Sequence, residues 1–115
     1  MPVSQSAYAD HKNSSAGDIV QITCKDGTVY TGTVFKTVGA TVYIQSDGMQ
    51  VLETQRVEDD GFHIVLSIGN KEVVDESRKV GYNKHGKKIQ TESITFSHDT
   101  EVSDFVVTDD SLTLG

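Results

Sequence analysis

Asp18-Ile19-Val20-Gln21-Ile22-Thr23-Cys24-Lys25-Asp26-Gly27-Thr28-Val29-Tyr30-Thr31-Gly32-Thr33-Val34 reads as two β-strands joined at an Asp-Gly turn. Val20, Ile22 and Cys24 alternate with Ile19, Gln21 and Thr23, the period of two that lines one face of a sheet. Asp-Gly between strand-like runs is a strong hairpin signal, because a type I′ turn needs positive φ at both central residues. The signal recurs at Asp47-Gly48, which gives strands over Asp18–Lys25, Thr28–Val38, Thr41–Ser46 and Met49–Val57. A fifth, Phe62–Ile68, follows the polar run Glu58-Asp59-Asp60-Gly61 and is apolar enough to be covered on both faces. In the second strand Val29 and Phe35 face opposite to Tyr30 and Val34, and Gly32 permits a bend or a close backbone approach. The expected fold is mainly β, a small, strongly bent five-stranded SH3-like barrel.

Outward from this core the chain divides into residues 1–16, 17–74 and 75–115. Before the barrel, Ser4 to His11 can form one short helix with Ser4 as its N-cap; a frayed terminus is the alternative. After it, Val73-Val74 either extends the fifth strand or opens another beyond a Gly69-Asn70 turn. Arg78–Lys88, with Gly81, Asn83 and Gly86, reads as a basic loop or linker. Ile89–Phe96 and Asp104–Leu114 alternate only in part. A late hairpin on the barrel, pairing with a neighbour, and disorder all stay open for them.

Net charge is −7 and the sequence pI is about 4.8, the wrong sign for a surface that wraps nucleic acid. Local basicity remains, since Arg78, Lys79, Lys84, Lys87 and Lys88 cluster with no acid among them. Cys24 is the single cysteine, so no intrachain disulfide forms, and its strand position makes it a small core residue. His11, His63, His85 and His98 lack metal-ligand spacing, and no nucleophile elbow, phosphate loop or dinucleotide fingerprint is present. The expectation is a non-enzyme with no cofactor and no metal. No apolar run approaches membrane-spanning length, so a cytoplasmic protein is expected.

The order of features resembles the Sm-like family, the LSm and Hfq type. Gly17-Asp18-Ile19-Val20 enters the first strand, and Tyr30-Thr31-Gly32-Thr33-Val34 resembles the aromatic-x-Gly-x-hydrophobic segment of the family's bent second strand. Thr41-Val42-Tyr43-Ile44 stands where the family has Asn followed by hydrophobics. Gly69-Asn70 after the fifth strand resembles the end of the second Sm motif. The resemblance implies a homo-oligomeric ring in which Met49–Val57 of one subunit pairs with Phe62–Ile68 of the next. It also implies single-stranded RNA held at the pore by Lys36, Gly39, Thr41, Gly69, Asn70 and Lys71, and it suggests a bacteriophage-borne member. Departures fall on the RNA motif: Thr41 replaces the Asn, and Ile68 replaces an Arg that stacks and pairs with phosphate. A ring that has lost RNA binding and serves as a scaffold or protein-binding adaptor is therefore the alternative function.

Overall fold

Alternation of apolar side chains along successive strands closes them into one barrel. The computed structural model describes residues 2–75, 90–97 and 99–109, with only the strand backbone described for 71–75 and 90–93. Its elements are α1 (Gln5–Lys12), β1 (Ile19–Cys24), β2 (Val29–Val38), β3 (Thr41–Gln45), β4 (Gln50–Val57), β5 (His63–Asp75), β6 (Gln90–Phe96) and β7 (Thr100–Asp109). The sheet runs β4-β3-β2-β1-β7-β5-β6, and β4 also pairs with β5, so six strands close a barrel and β6 lies outside it.

The five expected strands are all present, and the barrel needs a sixth. β7 sits between β1 and β5, pairing antiparallel with both. It buries Val102 and Phe105 in the core beside Val20, Ile22, Val34, Val42, Ile44, Leu52, Ile64 and Leu66. Their spacing is three residues rather than two because Ser103 bulges between the pairs Thr23↔Asp104 and Cys24↔Val102. A second irregularity leaves Thr108 between Val107 and Asp109. β6 and β7 do not form a hairpin with each other; they pair in succession along one edge of β5. The Arg78–Lys88 linker and the end of the last alternating segment, residues 110–114, lie outside the described residues.

The turns differ in type from expectation. Among the described residues only glycines have positive φ, so neither Asp26 nor Asp47 adopts the geometry of a type I′ turn. Gly27 N–H donates to the Cys24 carbonyl at 2.9 Å and Gly27 has φ 93°, a type I turn closed by a left-handed glycine. Gly32 behaves as expected: a Cβ there would lie 2.5 Å from the Gln45 carbonyl oxygen, so the bent β2 is built on its missing side chain.

α1 covers one end of the barrel. The Ser4 hydroxyl caps it by accepting from Ala7 N–H at 3.1 Å. Val3, Ala7 and His11 are buried beneath it. Among the described residues no helix is long and apolar enough to cross a membrane.

The strands that the Sm-like resemblance would use between neighbours are occupied within one chain. β4 pairs with β5 from Gln50↔Asn70 to Val57↔His63. The other edge of β4 is taken by β3, and that of β5 by β7 and then β6. A ring joined through β4 and β5 would have to break this internal ladder.

Candidate functional site

The six residues expected at an RNA pore fall into two groups at opposite ends of the barrel wall. Lys36, Gly39 and Thr41 belong to the β2–β3 hairpin, whose loop is Gly39-Ala40 between the paired Val38 and Thr41. Gly39 has φ 57° as the first loop residue while Ala40 is not positive, the pattern of a type II′ turn. Thr41 stands opposite Gln55 on β4, whereas Gly69 and Asn70 stand opposite Val51 and Gln50. Four residues of β4 separate the two levels, about 13 Å along the strand.

Each group has a local occupation of its own. Lys36 Nζ lies 5.8 Å from the centroid of the Tyr43 ring, a cation–π distance, and Phe35 approaches Tyr43 at 6.2 Å between centroids. Phe35 is pushed outward because it bulges between the pairs Val34↔Ile44 and Lys36↔Tyr43. The result is an exposed aromatic and cationic patch on the barrel wall. Gly69 is instead covered: it pairs with Phe96 of β6, and a Cβ on it would come within 2.6 Å of that ring and 2.7 Å of Ile94. An aromatic lying over a cross-strand glycine is a packing device that pins register. Lys71 is placed by its backbone in β5, opposite Ile94.

Sequence reading missed the polar cluster under α1. His11 is fully buried, with Nε2 2.8 Å from Thr54 Oγ1 and Nδ1 2.8 Å from an Arg56 Nη1. Thr54 donates its hydroxyl to the Val42 carbonyl at 2.9 Å, so its oxygen accepts from His11 Nε2–H, and Nδ1 accepts from Arg56. This fixes a neutral tautomer. Burial, and then the Arg56 charge, push the His11 pKa down to about 4. Arg56 also donates to the Gly39 carbonyl at 3.4 Å and lies 5.9 Å from the Tyr8 ring. The i, i+2 spacing of Thr54 and Arg56 was the available signal, but nothing in the chain pairs it with residue 11.

Two grooves open nearby. One, of about 430 Å³, runs between α1 and Phe62 and is lined by Val3, Tyr8, Ala9, Lys12, Glu58 and Phe62. Tyr8 donates to Glu58 across its rim and rests against Phe62 at 4.8 Å between centroids. The other, of about 260 Å³, holds Asp59, Asp60, His63 and Glu101. Two of its side chains are partnered: Glu101 pairs with Lys25 at 2.8 Å, and His63 Nε2–H donates to the Asp60 carbonyl at 2.9 Å. That carbonyl, and then Glu101, raise the His63 pKa. Among the described residues no cluster of His, Cys, Asp and Glu is arranged to hold a metal ion. Burial pushes the Cys24 thiol up, consistent with a packed core residue.

Beyond the barrel, the second half of β5 and all of β6 form a two-stranded ribbon. β4 begins at Gln50, opposite Asn70, so β5 from Lys71 to Asp75 has β6 alone beside it among the described residues. β6 has β5 on one side and, among the described residues, no strand on the other. Ile94 and Phe96, at 42% and 37% exposure, and Met49 at 49% put apolar surface near its root. No protein-family model, no curated protein and no solved structure matches the chain.

Proposed function

We propose that this chain is a non-catalytic β-barrel adaptor that docks by strand addition along the β5–β6 ribbon. One observation carries the reading: within the barrel the strand edges are paired, while beyond it the β5–β6 ribbon leaves ladder edges unpaired among the described residues, that of β6 along its whole length. Backbone N–H and C=O groups along such an edge are a template for another strand, and pockets beside it select side chains. The absence of a catalytic motif from the sequence agrees with a binding role. The adaptor reading is also favoured over an RNA pore because the six pore candidates are divided between two levels of the wall.

A second reading has one observation in its favour. Phe35, Lys36 and Tyr43 form an exposed cation-and-aromatic patch of the kind that stacks unpaired bases. Titration of fluorescent oligo(U) and oligo(A) at low salt separates the two. The adaptor reading expects no saturable binding. Saturable binding that weakens steeply with salt and is lost in Lys36→Glu and Tyr43→Ala would overturn it in favour of single-stranded RNA.

A further inference from the structure

We infer that the strand added to β6 is the β6 of a second copy, paired antiparallel about a two-fold axis. The inference rests on the adaptor reading and names its occupant. Within the barrel every strand has neighbours on both sides: β1 has β2 and β7, β2 has β1 and β3, β3 has β2 and β4, β4 has β3 and β5, β5 has β4 and β7, and β7 has β1 and β5. The open edges among the described residues belong to the ribbon: β5 from Lys71 to Asp75, a run that begins with a lysine, and β6 along its whole length.

Natural edge strands are guarded against pairing by Lys, Pro, bulges or brevity. β6 has none of these guards. Its seven residues, Gln90-Thr91-Glu92-Ser93-Ile94-Thr95-Phe96, include no proline and no basic residue. Its register with β5 runs unbroken from Phe96 to Gln90, so no bulge turns the edge away. Threonine and aromatic content suits it to a sheet.

The sequence of β6 is also compatible with itself. Full antiparallel overlap puts Ser93 on the two-fold axis, with Thr91 opposite Thr95, Glu92 opposite Ile94 and Gln90 opposite Phe96 of the second copy. The single charge in the strand never faces its own equivalent, and the threonines pair across the interface. Direction follows from the neighbouring charge. The chain joining Asp75 to Gln90 carries Arg78, Lys79, Lys84, Lys87 and Lys88. Parallel pairing would bring the two Gln90 ends, and the cationic segments leading into them, side by side. Antiparallel pairing sends them off opposite ends of a strand about 23 Å long, well beyond the Debye length of about 8 Å at physiological salt. An isologous contact of this kind closes at two copies.

The test is light-scattering mass of the full chain across the micromolar to millimolar range, with two variants. The wild type is expected to approach twice 12.5 kDa as concentration rises. Ser93→Lys, which sets a lysine against its own copy on the axis, should raise the midpoint concentration by about tenfold while the circular dichroism and unfolding midpoint stay those of the wild type. Ser93→Cys should give a disulfide-linked dimer on mild oxidation; the wild type, with Cys24 buried, should give none. A wild type that stays monomeric throughout overturns the inference. So does a dimer indifferent to both substitutions, or an assembly that grows past two copies. None of these outcomes is an RNA-binding result, so failure here is distinct from failure of the adaptor reading.

Discussion

A methyl group added at Gly32 and one added at Gly69 meet different neighbours. At Gly32 the nearest atom is backbone, the Gln45 carbonyl oxygen at 2.5 Å, which can move only if the β2–β3 ladder moves with it. At Gly69 the nearest atoms are the ends of the Phe96 and Ile94 side chains, which are partly exposed and able to swing outward. Gly32→Ala is expected to cost about 3 kcal/mol or more, at the upper end of overpacking effects, and Gly69→Ala about 1 kcal/mol. Urea unfolding of both variants checks the order, and equal costs would refute this account of β2. His11 carries the second prediction at this scale. Its folded pKa of about 4 lies below the ordinary 6.5. Above pH 6.5 the ring is neutral in both states and contributes no pH dependence. As pH falls from 6.5 towards 4, the unfolded chain takes up a proton that the folded chain refuses, so stability drops by about 3 kcal/mol and then levels off. The His11→Gln variant should show a flatter profile between pH 6.5 and 5, above the range where Asp26 and Glu101, both held low by their partners, begin to lose theirs. His63 acts with the opposite sign and in a higher window. Its contribution is complete below pH 6.5 and fades as pH rises through its raised value.

Among the elements, β7 is where sequence and structure part company, and the reason is local. Period-two reading found β1 and β3 because Val20, Ile22 and Cys24, and then Val42 and Ile44, are inward at every second residue. It found β2 as well, since Tyr30 and Val34 precede the bulge at Phe35. β7 has a bulge at Ser103 between its two main core residues, so Val102 and Phe105 look out of phase and the strand resembles an acidic tail. Extension of β5 through Val73-Val74 was one of two readings open in the sequence, and it is the one found; what decides it is β6, which pairs with that second half. The N-cap of α1 was legible because Ser4 stands three residues before Ala7, while the helix's docking through His11 was not. If β7 is part of the core rather than an appendage, Phe105→Ala should cost about 3–5 kcal/mol, the range for a buried phenylalanine. Ser4→Ala should cost about 1 kcal/mol through the lost cap. A cost at Phe105 no larger than that at Ser4, measured by urea unfolding, would mean that the barrel closes without β7.

At the scale of the whole molecule, the distribution of charge decides between the two ways this surface can be used. The pore candidates were legible only as residue types; which end of the barrel each occupies depends on the pairing of β4 with β5, and no local pattern encodes that. Charge, in contrast, is carried by the sequence itself. Two bodies that each bear a net charge of −7 repel, so self-association through the nearly neutral β6 is opposed by long-range repulsion that added salt screens. RNA held by Lys36 and the Arg78–Lys88 segment has the reverse dependence, since counterion release favours the complex most at low salt. Raising salt from 50 mM to 500 mM, roughly a threefold contraction of the Debye length, should therefore strengthen the dimer and weaken any RNA complex. Sedimentation equilibrium at both salt concentrations, with and without oligo(U), reads the two in one experiment. A dimer that weakens as salt rises would place its interface on complementary charges rather than on the nearly neutral edge of β6, and Ser93→Lys would then leave it intact.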